Sequence, residues 1–372
     1  SSEDRLWTVR TQNTATRDEV VYTCGFVWAC TGYYSYESGY SPDFPGSESF
    51  QGEIVHPQQW PEDLDHSGKN IVVIGSGATA VTLVPELAKS AAHVTMLQRS
   101  PTYVMSIPGV DNVANAFTTV LGKRAGAAAT RWKNIMRIMF FYQLSRRQPA
   151  LIRKHIIGLV KDIMGPEFDV EKHFSPTYDP WDQRVCFVPD DDLFDALKCG
   201  DASVVTDHIE TFTENGIALK SGEEIEADVI VTATGLKIEV LGGATFDVDG
   251  VPVSAGEKML YKGTMISDVP NACISLGYTN ASWTLKCELI SEYICRLLNH
   301  MEENNLTQVW PRHPKGMAEE PLLNFNSGYV LRALESVPKQ GSRAPWRLNQ
   351  NYVLDLIALR HKAVKDGELE FK

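Results

Sequence analysis

The residues with chemistry to offer begin at Gly75, Gly77 and Ala80, spaced G-x-G-x-x-A within Lys69–Ala80, KNIVVIGSGATA. Gly75 permits a sharp turn, and Gly77, without a Cβ, lets backbone approach a pyrophosphate. Ala80 lets a following helix pack close to the preceding strand. Ser76, Ala78 and Thr79 complete a loop whose amides would face the phosphates at a helix N-terminus. The ordinary alternative is a glycine-rich turn with no ligand. A second candidate is Arg99, followed by Ser100, at the end of HVTMLQRS. NAD would call for Asp or Glu there, to take the ribose 2′-hydroxyl. An Arg instead pairs with a 2′-phosphate, which favours NADPH, unless it is only a solvated strand-end cation. Two further turns, Thr31-Gly32 after VVYTCGFVWAC and Thr234-Gly235 after VIVTA, end apolar runs in a T-G pair. Around one dinucleotide loop they suggest a flavoprotein with two nucleotide domains, holding FAD as well as NADPH.

These residues need elements to hold them. Ile71–Ile74 reads as a strand covered on both faces, because four consecutive apolar residues leave no solvent side. AVTLVPELAKS continues it as a helix and HVTMLQ as the next strand. LWTVRT and VVYTC flank the polar NTATRDE and predict a hairpin, as does FDVDGVPV around Asp249-Gly250. Residues from about 113 to 165 predict a long helical region, basic and aromatic in places. A membrane-surface helix and a plain solvated face are both compatible with it, and the solvated face is the commoner outcome. VPNACISLGYTNASWTLKCELI predicts strand, polar turn and amphipathic helix, with Gly277, Asn280 and Ala281 in the turn as candidate flavin contacts.

Composition narrows the classes. At 372 residues the chain needs more than one core, and a net charge of −12 argues against general nucleic-acid binding. Seven cysteines, none in C-x-x-C, suit a reducing cytosol and argue against a disulfide reductase or a metal centre. No apolar run reaches spanning length. The chain opens with Ser, in SSEDRLWTVRTQN, like the middle of a domain. The expectation is a chain lacking an N-terminal portion, including the first glycine loop of the FAD domain.

One stretch is more specific. Phe50, Gly52, His56, Trp60 and Pro61 fill every fixed position of F-x-G-x-x-x-H-x-x-x-W-P in FQGEIVHPQQWP. By itself this is a linker anchored by two aromatics around a satisfied His56. The pattern resembles the fingerprint of the flavin-dependent Baeyer–Villiger monooxygenases. With DPWDQR, VTATG and GYTNASWTLK in order, the chain looks most similar to the ethionamide-activating members, over nearly its whole length.

The resemblance implies an α/β flavoprotein with two dinucleotide-binding domains, part of the FAD domain absent, and a helical insertion. The expected organisation is 1–66 as remainder of the FAD domain and linker, and 67–108 and 179–238 as the NADPH domain. Residues 109–178 would be the insertion and 239–372 the C-terminal part of the FAD domain. It also implies insertion of oxygen beside ketone carbonyls, and S-oxygenation of sulfides or thioamides, through a flavin C4a-peroxide formed from O2. Arg184 falls on the active-site Arg, where a guanidinium stabilises an anionic oxidant; on the sequence alone it is a partner for Asp179 or Asp182. Many members have Lys where this chain has Gln183. His56 becomes a catalytic candidate, and Trp60 joins the cofactor-binding set. The alternatives are a heteroatom-oxidising flavin monooxygenase that makes no esters, and a non-catalytic NADPH-binding fragment.

Overall fold

The four apolar residues Ile71 to Ile74 have the two buried faces the sequence predicts. The computed structural model describes residues 1, 3–323 and 327–372. In it, Asn70–Ile74 is the middle strand of a five-stranded parallel sheet. The order is Glu53–Val55, Val229–Thr232, Asn70–Ile74, His93–Gln98, Ala202–Thr206. Ile71 and Val73 point into one core with Val84, Val94, Met96, Leu193 and Phe194. Val72 and Ile74 point into the other with Leu97, Phe212, Ile217 and Ile230. Each such side chain contributes roughly 1.5–3 kcal/mol when fully buried. Two opposed apolar faces therefore fix this strand's place before any ligand is considered.

The chain divides into two units. One is built from residues 36–237 and 325–329, the other from 1–35, 238–324 and 330–372. In the first, Ala78–Ala88 crosses from the central strand to His93–Gln98, burying Ala80, Val81, Val84 and Leu87. A parallel pair, Val104–Ile107 with Cys186–Pro189, brackets the helical region. That region is Asn112–Arg147 followed by Pro149–Met164. Gly122, at φ 78°, breaks the first into two arms. A Cβ on Gly126 would overlap the backbone of Phe117 and Thr118, so the arms fold back tightly on each other. The charges of the longer arm are on its surface, as expected. Trp132, Met136 and Phe140 share that surface, which a purely charged face does not explain.

The second unit holds a four-stranded sheet ordered Leu260–Tyr261, Met265–Ile266, Ala272–Ile274, Val27–Ala29. The last two strands run parallel. Helix Trp283–Glu303 buries Leu289, Ile290, Tyr293, Ile294 and Leu297. The predicted hairpins form as Trp7–Gln12 with Glu19–Cys24 and Phe246–Val248 with Val251–Val253. Asp249 and Gly250 take the positive φ a tight two-residue turn requires.

Candidate nucleotide-binding and active site

Gly75 sits at φ 141°, and a Cβ there would run into the carbonyl oxygen of Ala233. Its amide donates to Leu97 O at 2.8 Å, which stitches the turn to the next strand. Gly77 differs: a Cβ on it would meet nothing within 4 Å. It is the N-cap of Ala78–Ala88 and offers no side chain to that helix's first amides. Open space in front of uncapped amides is the cradle a pyrophosphate needs. Ala80 is fully buried, as close strand–helix packing requires. The Ser76 hydroxyl donates to Ser100 O at 3.1 Å and lies 2.8 Å from Thr102 Oγ1. It thereby holds the loop beside the strand end that carries Arg99 and Ser100, both exposed. Gln98 faces inward, donating to His173 O at 2.7 Å and Thr206 Oγ1 at 2.8 Å.

The fingerprint closes on the second T-G turn. Gln58 N donates to His56 Nδ1 at 3.2 Å, so Nδ1 is the bare nitrogen. Nε2 then carries the proton and donates to Gly235 O at 3.2 Å. Tyr40 N donates to the same oxygen at 2.9 Å. The Thr234 hydroxyl donates to Tyr40 O at 2.6 Å, and a Cβ on Gly39 would overlap the His56 ring. The sequence offers His56 as a catalytic residue; here both ring nitrogens are engaged by backbone, which makes it a clasp on the 234–235 turn. Trp60 packs its partly buried ring against the sheet core and edge-on to His66, 6.2 Å between centroids.

Arg184 follows a turn closed by Asp182 N donating to Asp179 O at 3.0 Å. The sequence offers Asp179 or Asp182 as its ion-pair partner. Asp182 pairs with Arg146 at 2.7 Å. Arg184 is half-buried, and its Nε donates to Tyr329 Oη at 3.3 Å. Tyr329 lies 145 positions away and no sequence signal points to it. Beside Arg184, burial pushes the Cys186 thiol up to about 11, so it is a packing residue and no nucleophile at neutral pH.

In the other unit, Thr31-Gly32 leaves the carboxyl end of Val27–Ala29, with Gly32 at φ 74°. Ser275 and Gly277 leave the parallel neighbour Ala272–Ile274. Trp28 Nε1 donates to Ser275 Oγ at 2.9 Å and ties the two ends together. Trp283 packs over Gly277, where a Cβ would collide with the indole, and stacks on Tyr33 at 4.9 Å and 19°. The carboxyl ends of adjacent parallel strands are where open α/β sheets take ligands. Ala281 lies in the same turn and is half-buried. Asn280, expected at the cofactor, is buried, and its amide donates to Gln350 O at 2.9 Å. It holds the tail segment. Among the described residues no cluster could hold a metal ion.

A family model described as FMO-like, flavin-binding monooxygenase-like, matches residues 1–298. The chain is 51% identical over 373 residues to "FAD-containing monooxygenase EthA" of Mycobacterium tuberculosis, covering 100% of this chain and 76% of that one. Among solved structures it is similar to OTEMO in complex with FAD and NADP, with a TM-score of 0.63 at 21% identity. That similarity covers 84% of this chain and 66% of OTEMO, slightly under two thirds of its length. It is also similar to cyclohexanone monooxygenase bound to ε-caprolactone, with a TM-score of 0.68 at 19% identity, over 100% of this chain and 78% of that one.

Proposed function

The chain belongs to the flavin-binding monooxygenase-like family, and from that premise we propose that it supplies the NADPH site and oxygenation chamber of a Baeyer–Villiger monooxygenase. Such an enzyme inserts one oxygen atom of O2 beside a ketone carbonyl and S-oxygenates sulfides or thioamides. The observation that carries this reading is the lock between His56 and Gly235, which turns the linker fingerprint into a defined three-dimensional contact.

In this reading residues 36–237 form the NADPH unit. The amides of Ala78, Thr79 and Ala80 hold the pyrophosphate, with Gly77 leaving room for it. Arg99 and Ser100 take the 2′-phosphate. FAD, when bound, supplies the electron transfer and oxygen activation. Thr31-Gly32 and the Ser275–Gly277 ends would form its ledge. Arg184 places a permanent cation near the reacting oxygen and stabilises anionic charge there without giving up a proton. Tyr329 keeps that guanidinium oriented. His56 works through Gly235, as a positioning residue. Trp60 is a packing residue that fixes the linker's exit.

The test is product analysis with purified protein, FAD, NADPH, air and a linear ketone, with a sulfide in a parallel reaction. Ester formed in step with NADPH consumption is expected, and Arg184→Ala should divert turnover to hydrogen peroxide. Sulfoxide without ester would favour a heteroatom oxygenase. Hydrogen peroxide as sole product, unchanged by Arg184→Ala, would reject the oxygenation chemistry. Stoichiometric NADPH binding without retained flavin would indicate a nucleotide-binding piece.

A further inference from the structure

The helical stretch 112–161 contains ten Lys and Arg and no Asp or Glu, in a chain whose net charge is −12. The other 322 residues therefore carry −22, so this stretch is strongly basic against an acidic remainder. Among its cations, Lys133 pairs with Asp111, Arg146 with Asp182 and Lys161 with Glu171, all acids outside the stretch. Lys123, Arg124, Arg137, Arg147 and Lys154 are exposed.

The same stretch exposes large apolar side chains in a register. Trp132, Met136 and Phe140 recur at every fourth position of the arm after Gly122, which puts them along one side of the helix. They are 44%, 53% and 69% exposed. Arg147, seven positions beyond Phe140, continues that side. At the reversal, Val120 and Leu121 are exposed as well. Ser145, opposite this side of the helix, is buried, as are Gly126 and Ile135 at its flanks.

We propose that this helical arm is a docking surface for anionic phospholipid bilayers. Its aromatic and methionine side chains enter the headgroup layer while the flanking Lys and Arg meet lipid phosphates. One observation selects a bilayer over a nucleic acid, which would share the charge preference: the exposed side carries the large apolar Trp132, Met136 and Phe140, with Gln143 and Arg147 as its polar members. A lipid surface is an acidic partner that also rewards burial of Phe140 and Met136. Among the described residues no helix is long and apolar enough to cross a membrane, so the arm lies on the surface. An apolar substrate dissolved in that bilayer would then be near at hand.

Co-sedimentation of the whole chain with vesicles tests this. One set is pure phosphatidylcholine; the other contains about one-third phosphatidylglycerol. Binding to the anionic set alone is expected at low salt, falling at high salt. The triple variant Trp132→Ser, Met136→Ser, Phe140→Ser should weaken it at least tenfold, with unchanged circular dichroism. Should that variant fail to fold, Arg124→Glu with Arg137→Glu, at exposed positions, should give a similar loss. Absent binding to both sets, or binding that ignores these substitutions, overturns the proposal. So does a size-exclusion shift showing that the stripe joins two copies, or DNA binding that competes fully with vesicles.

Discussion

At the scale of single residues, the two loop glycines make opposite demands. Gly75 is required by the fold, because its backbone conformation and the nearby Ala233 carbonyl both reject a side chain. Gly75→Ala should cost about 3 kcal/mol or more, read as a lowered denaturation midpoint. Gly77 has open space, so Gly77→Ala should leave thermal stability nearly unchanged. The new methyl would occupy the phosphate cradle, and NADPH affinity should fall at least tenfold, about 1.4 kcal/mol, by titration calorimetry. Both glycines were legible in the sequence, because motif spacing reflects local backbone geometry. What each remaining side chain would bond was less so. Gln98 shared the strand end with Arg99, and only strand alternation, which sets it on the face of Met96, hinted that it points inward. Asn280 and His56 are the polar residues a sequence assigns to ligands by default. Their bonds to Gln350 and Gly235 depend on chain segments 70 and 179 positions distant.

At the scale of elements, two joints deserve measurement. His173 links the insertion to the nucleotide sheet: its Nδ1 is 2.8 Å from Thr206 Oγ1 and its carbonyl accepts from Gln98. Burial holds its pKa below the ordinary value of 6.5, so the folded state binds this proton less readily than the unfolded one. Stability should be full above that value and decline as pH falls through it. Calorimetric unfolding at about pH 7.5 and 5.5 should show a smaller decline in His173→Gln than in the parent. The second joint is Lys286 on helix Trp283–Glu303. Its Nζ is 2.7 Å from Asp355, which also accepts from Tyr278 at 2.8 Å and Asn349 at 3.0 Å. Both charged side chains are 5% exposed. Lys286→Met should cost roughly 3–5 kcal/mol by leaving the carboxylate alone, while adding Asp355→Leu should recover most of the loss in urea unfolding. Strands, hairpins and the helices themselves were readable from periodicity and turn residues. This pair was not, since a lysine in an amphipathic helix looks solvated until its tertiary partner is known.

At the scale of the whole molecule, charge is segregated. A chain with a calculated pI near 5.3 carries an acid-free stretch of ten cations. At neutral pH and low ionic strength it should be retained by anion-exchange and cation-exchange resins alike, an effect a uniform −12 surface would not give. Arg124→Glu with Arg137→Glu should abolish cation-exchange retention and leave the other intact. The two-unit division accords with a length too great for one core, and the second unit buries Leu260, Ile266, Ala272 and Ile274 in a core of its own. The reversal at Gly122 did not announce itself, because one glycine in a helical pattern is ordinarily tolerated.

The stacked rings of Tyr33 and Trp283 also form an optical reporter. An indole fixed at the proposed flavin ledge is an energy donor whose emission overlaps flavin absorption. Adding FAD to the protein should quench a fraction of the tryptophan fluorescence, and Trp283→Phe should remove that fraction specifically. Unchanged quenching in the variant would mean that the flavin ring lies elsewhere. Occupancy of the ledge can thus be followed by emitted light, independently of turnover.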